Sequence, residues 1–169
     1  MGEYSFTVHV KAPPELVFDL FTDIDRMPEW IGGVSRITDV TGPAGEAGTS
    51  YTVWFGRMPS PTRILAATRP SHVRSRFGNR LLRGEMEAEL DAEGGGTLLT
   101  QRFKTEGFVP AIVARIFAIG SYRGSFRGEL ATFAAMVERE AGSTPAPPPP
   151  GACHPRRRWR PGPLWPQRR

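Results

Sequence analysis

Residues 3–30 restrict the fold of this chain more than any other stretch. Residues 3–11 alternate, with Tyr4, Phe6, Val8 and Val10 on one side and Ser5, Thr7 and His9 on the other. That is the period of a half-buried strand. Pro13 and Pro14 follow, and the first turn of a helix tolerates a missing N–H. Glu15 falls in that turn, where negative charge suits the helix dipole, and Leu16, Val17, Leu20 and Phe21 make one apolar face. A second short helix is expected over about residues 25–31, stopped by Gly32-Gly33, where positive φ is free of penalty. A strand that runs directly into two short helices needs further strands to pair with.

The next eighty residues supply them. Strands are expected over residues 34–40, 49–55, 62–68, 72–77, 81–90 and 97–105, with turns at 41–43, 56–61 and 93–96. Turns of hairpin length indicate an antiparallel meander. The clearest alternation puts Leu82, Gly84, Met86, Ala88 and Leu90 on one face and Arg83, Glu85, Glu87 and Glu89 on the other, so one face of the sheet meets water. A long helix is expected over residues 109–141. Ile112, Ile116, Ile119, Phe126, Leu130, Phe133 and Val137 form its stripe, Arg123 fills the gap in it, and Gly142 marks its end. This stripe has the three- and four-residue steps of a helix packed on one side.

Residues 1–142 read as one domain and residues 143–169 as a Pro/Arg-rich disordered tail. Nine of the 17 prolines fall in the tail, a composition that cannot build a core. All 17 acidic residues and 16 of the 22 Lys and Arg precede residue 143, so the domain carries a net charge of −1 and the tail +6. A basic pI of about 10.1 therefore points to anionic partners for the tail alone. No nucleic acid is expected for the domain. Arg156-Arg157-Arg158-Trp159-Arg160 in the tail suits contact with an acidic partner or membrane. The lone Cys153 forms no internal disulfide, the start has no signal-peptide pattern, and no apolar run reaches membrane-spanning length. A cytoplasmic protein is expected.

The chain resembles the START-like superfamily, also called SRPBCC, which includes polyketide cyclase/dehydrase-type and birch-pollen-allergen-like proteins. The resemblance rests on Val10-Lys11-Ala12-Pro13-Pro14-Glu15 with Val17-Phe18, on Asp23 with Pro28 and Trp30, on Gly48-Thr49, on Gly95-Gly96-Thr97 and on the long C-terminal helix. It covers roughly residues 3–141. It implies an α+β helix-grip fold: a seven-stranded, curved antiparallel sheet around the C-terminal helix, with two short helices after the first strand. It also implies a cavity between sheet and helix that holds a lipid, polyketide or other apolar molecule. Some members are cyclases and others only carriers, and a shared fold does not choose between them.

The residues point to a binding site more clearly than to a reaction. Gly120, Gly124 and Gly128 lie along one side of the helix, each costing about 1 kcal/mol against alanine. They leave room for a ligand or allow close packing. Arg123 is placed to meet a ligand carboxylate or phenolate, or to form a salt bridge. Gln101, with Phe103 on its face, is a candidate polar anchor. Tyr51 and Phe55 are expected to line the cavity with Ser75 and Met86, and Met27 and Trp30 to stand at its mouth. Trp30 equally suits a packing role between helix and sheet. There is no HxxxH, HExxH, CxxC or GxSxG pattern, so neither metal nor cofactor is expected. The preferred expectation is binding or transport of a small hydrophobic molecule. The alternative is a polyketide cyclase or dehydratase in the same cavity, with Arg123 stabilising an enolate and Tyr51 or His9 moving a proton.

Overall fold

The computed structural model describes residues 2–78, 83–106 and 121–143. The elements are β1 (Gly2–Val10), α1 (Pro14–Thr22), α2 (Met27–Trp30), β2 (Val34–Thr41), β3 (Ser50–Phe55), β4 (Met58–Thr68), β5 (His72–Gly78), β6 (Arg83–Glu93), β7 (Gly96–Glu106) and α3 (Ser121–Ser143). All seven strands form one antiparallel sheet in the order β1-β7-β6-β5-β4-β3-β2. The expected α+β helix-grip arrangement is thus present. Register shifts in β2 and β4 mark irregularities of the kind that bend a strand and raise its twist.

Local chemistry explains the first turn of the chain. Pro13 is the N-cap of α1 and Pro14 its first residue. The Pro13 carbonyl accepts from the amides of Leu16 and Val17, both at 3.1 Å. At the start of β7, just after the β6–β7 turn, a Cβ on Gly96 would collide with the Val10 carbonyl oxygen and lie 3.2 Å from Lys11 Cα. Glycine there lets β7 start flush against the end of β1. The buried Thr97 hydroxyl then donates to the Ala12 carbonyl at 2.7 Å. Residues 10–18 and 95–97 are therefore two halves of one junction.

Beyond shifts of one to three residues at other ends, such as β6 running on to Glu93, two departures from the sequence reading matter here. β4 begins at Met58, not at residue 62, and includes Pro59 and Pro61 inside the expected turn. Up to Pro61 the strand pairs only with β3; pairing with β5 begins at Thr62. Its other side has no paired strand there among the described residues, and an open edge is where proline is admitted. The second departure is the helix. Its described part is Ser121–Ser143, one residue beyond the expected Gly142 stop, and residues 109–120 lie outside the described residues.

α3 closes the sheet through Leu130, Phe133, Ala134, Met136 and Val137, all buried. The Phe133 ring meets Phe21 of α1 edge-on at 5.5 Å and Trp30 of α2 at 5.0 Å, while Phe21 and Trp30 stack at 5.5 Å. Polar ties surround this cluster. Glu138 accepts from the Lys11 amide, Glu129 from the Gly32 amide, and Arg26 bridges Glu29 and Glu140. Gly128 lies on the opposite, exposed side, and a Cβ there would meet nothing within 4 Å.

These packing facts give opposite expectations for two substitutions in one helix. Phe133→Ala should lower the unfolding free energy by about 3–5 kcal/mol. Gly128→Ala should raise it by about 0.5–1 kcal/mol, because only the helix propensity changes. Urea denaturation of the two variants against the parent chain measures both; a loss of stability in Gly128→Ala would contradict the open surroundings described.

Candidate functional site

The two faces of the sheet differ in kind. The outer face of β5, β6 and β7 is laced with ion pairs: His72 with Glu87, Arg74 and Arg76 with Glu85, and Arg102 with Glu89. The His72 ring beside it holds the Glu87 carboxyl below its usual value. This is the water-facing side that the alternation in residues 82–90 requires. His9 lies on that outer side as well. Its Nε2 is 3.0 Å from the Glu93 carbonyl, and the side chain is exposed. The expectation that His9 serves the interior as a proton carrier is therefore corrected: its strand turns Phe6 and Val10 inward and His9 outward.

The inner face is apolar with a few polar insertions. Paired residues of an antiparallel sheet share a face, and adjacent strands lie about 4.8 Å apart. Three rows follow from the register. Tyr51, Thr62 and Phe77 form the first; Ile64, Ser75, Met86, Phe103 and Tyr4 the second; Val73, Ala88, Gln101 and Phe6 the third. Ser75, Met86, Phe103 and Gln101 are thereby brought together on three neighbouring strands, and Tyr51 joins them through Thr62. Tyr51 and Gln101 are each 6% exposed and Ser75 only 3%. Among the described residues none of these three side chains has a hydrogen-bond partner, and their polar atoms stay accessible, since the one enclosed side-chain nitrogen or oxygen without a partner is Trp30 Nε1. Ser60, opposite Val53, is a fourth such group, and Thr62 makes only a long bond, 3.3 Å, to the Ser60 carbonyl.

No buried group on this face is a carboxylate, histidine, lysine or arginine among the described residues. The one titratable group deep in it is Tyr51, whose phenol burial pushes up to about 12. It stays neutral at ordinary pH and acts as a hydrogen-bond donor or acceptor, not as a base. Phe103 is part of an aromatic cluster, with Phe126 of α3 at 4.6 Å and Phe77 and Phe6 at 6.2 and 6.3 Å. That cluster joins sheet and helix where the polar rows begin.

The remaining candidates are placed differently. Phe55 shares the alternation of Tyr51 and Val53 but is 37% exposed. It is the last residue of β3, opposite Val34 and beside the turn to β4, so it stands at the open end of the face and not inside it with Tyr51. Met27 and Trp30 are buried in the helix cluster, which matches the packing role weighed for Trp30. Its Nε1 is the one buried side-chain atom without a partner among the described residues. Arg123 and Gly124 lie within α3. The sequence spacing alone sets Arg123 three residues before Phe126 and seven before Leu130. Gly120 lies outside the described residues. Ser60 and Thr62 were missed as a pair, because Pro59 and Pro61 made their segment look like a turn; the alternation of residues 60, 62 and 64 was the signal available.

Two open hollows of about 770 Å³ each are present. One is bounded by Phe18, Asp19, Thr22, the loop at residues 44–47, Ala67 and Arg69. The other takes in Thr62, Ile64 and Phe77 of the inner rows together with Arg63, Arg76, Arg83 and Glu106. Neither includes Ser75, Met86, Gln101 or Phe103. The described residues include no cluster of metal-ligating side chains, and none of their helices is long and apolar enough to cross a membrane.

A curved sheet gripping a helix, with an inner face of this mixed character, defines a class that comparison with known proteins narrows. The chain belongs to the family described as polyketide cyclase / dehydrase and lipid transport, whose model matches residues 1–138. No curated protein matches. Among solved structures, protein MLL2253 from Mesorhizobium loti is similar at 15% identity and a TM-score of 0.65, covering 82% of this chain and 98% of that one. Ara h 8.0201 is similar at 17% identity and a TM-score of 0.57, covering 80% and 97%. DynU16, from the dynemicin biosynthetic locus, is similar at 18% identity and a TM-score of 0.62, covering 82% of this chain and 48% of that one. Similarity at these identities establishes the fold.

The buried phenol gives a pH test. The folded-state value for Tyr51 lies above the ordinary value near 10, so between about pH 10 and 12 the unfolded chain has lost a proton that the folded chain keeps. Stability should fall across that interval. Absorbance at 295 nm should show one of the three tyrosines titrating near pH 12, and Tyr51→Phe should remove that late step. Three phenols ionising together near pH 10 in the folded protein would contradict it.

Proposed function

We propose that the chain binds a small, uncharged, mostly apolar molecule on the inner face of the sheet, beneath α3. The carrying observation is a set of largely buried residues whose polar atoms make no hydrogen bond among the described residues and stay accessible: Tyr51, Ser60, Ser75 and Gln101. Such groups can bond a guest directly, each hydrogen bond contributing a net gain of about 0.5–1.5 kcal/mol. Phe77, Met86 and Phe103 supply the apolar surroundings, where affinity grows at about 25 cal/mol per Å² buried. The absence of buried charge among the described residues favours a neutral guest. Arg123, three residues before Phe126 and seven before Leu130 in sequence, is a further candidate anchor.

A second reading, cyclisation or dehydration of a polyketide-like substrate, draws on the family description and on Tyr51. A phenol held neutral donates a hydrogen bond to a developing enolate oxygen, and the walls would fold the substrate chain. This reading lacks a base among the described residues of the inner face. Binding without chemistry is therefore preferred.

Native mass spectrometry of the freshly purified chain should show a noncovalent adduct, released on denaturation and identifiable by its mass. For the identified molecule, Gln101→Leu and Tyr51→Phe should each weaken binding about 2- to 10-fold without loss of fold. A carrier keeps weakened binding in Arg123→Ala. A cyclase keeps product binding and loses turnover. A chain that carries no adduct and takes up no apolar compound would refute the proposal.

A further inference from the structure

The turn between β3 and β4 is the least explained apolar feature of the molecule. Phe55 and Met58 face each other across Gly56-Arg57 and are 37% and 42% exposed. Residues 55–59 are all exposed, so the hairpin ends in an apolar point, not a groove. Behind it, the Arg36 guanidinium lies 4.3 Å over the Trp54 ring, whose Nε1 donates to the Thr38 hydroxyl at 2.9 Å. In sequence the hairpin lies within a stretch, residues 47–84, that has seven arginines and no acidic residue. Arg69 pairs with Asp19, and Arg74 and Arg76 with Glu85. Arg57 and Arg63 have no carboxylate partner among the described residues.

We infer that this hairpin tip docks the protein on an anionic lipid surface. Phe55 and Met58 enter the boundary between headgroups and acyl chains, and Arg57 stays at the level of the lipid phosphates. Binding of this kind scales with the apolar area inserted plus attraction to anionic lipid. A nucleic acid would engage Arg57 and Arg63 but would leave Met58 in water, so the pairing of two apolar side chains with the turn arginine favours lipid. Ser60 lies two residues from Met58 on the same strand, so docking would bring this end of the inner face to the bilayer. The inference stands without the binding reading above.

Sedimentation of the full chain with vesicles is the test, using phosphatidylcholine with and without about a third phosphatidylglycerol. The chain should bind the anionic vesicles and lose affinity steeply with added salt. The double variant Phe55→Ser with Met58→Ser should bind at least about 10-fold more weakly with an unchanged melting temperature. Arg57→Gln should cost about 5-fold, the worth of one arginine near such a surface. The +6 tail is the rival attachment. A full-length chain with Arg156, Arg157, Arg158 and Arg160 changed to Gln should still distinguish wild-type hairpin from the double variant. Equal binding by the two hairpins in that background, no binding to anionic vesicles, or binding to a homopolymeric RNA that the double variant leaves unchanged would each overturn the inference.

Discussion

One helix face pressed against one sheet face governs everything else in this protein. Phe133 is fully buried and touches both short helices through aromatic contacts. Val10, Val17, Leu99 and Val137 are buried in the same cluster. This end is solid core. Towards the opposite edge the inner face acquires hydroxyls and an amide, and its aromatic boundary is the Phe6, Phe77, Phe103 and Phe126 group. The division matters because the packed end can hold the sheet's curvature while the polar end is left for another task. A core residue such as Phe133 thus acts on binding only by keeping the two layers together.

Much of the architecture was legible in the sequence, for reasons that can be named. Period-2 alternation located most strands, and the outward Glu85, Glu87 and Glu89 identified the wet face. The motif residues of the family turned out to be joints. Gly96 allows a close approach, Thr97 pins Ala12, and Thr49 donates to the Pro43 carbonyl at 2.6 Å. Such residues report on fold because the junctions need them, and they are silent on the ligand for the same reason. Pro59 and Pro61 hid the start of β4, since an edge that admits proline cannot be recognised before the neighbouring strand is placed.

The candidate site was less legible. Alternation says which residues share a face but not where along a strand the cover ends, so Tyr51 and Phe55 looked equivalent. One is buried and the other stands at a turn. The same limit applied to His9, whose strand face was known but whose Glu93 contact depends on a hairpin more than eighty residues away. Polar side chains on largely buried residues that make no internal bond emerge only in three dimensions. They favour a reading in which the fold provides orientation by hydrogen bonds and affinity by area, with no charged group required.

The claim that a guest occupies the polar end of the inner face is tested most directly by nuclear magnetic resonance of methyl-labelled methionine. The chain has five methionines, and they sample the relevant places: Met86 on the inner face, Met27 and Met136 in the packed end, Met58 on the exposed hairpin. Titration with a neutral apolar probe such as 2-naphthol should move the Met86 methyl signal saturably and leave Met27 and Met136 in place. A Met86 signal that stays fixed while the probe shifts Met27 and Met136, or shifts no methionine at all, would contradict the account.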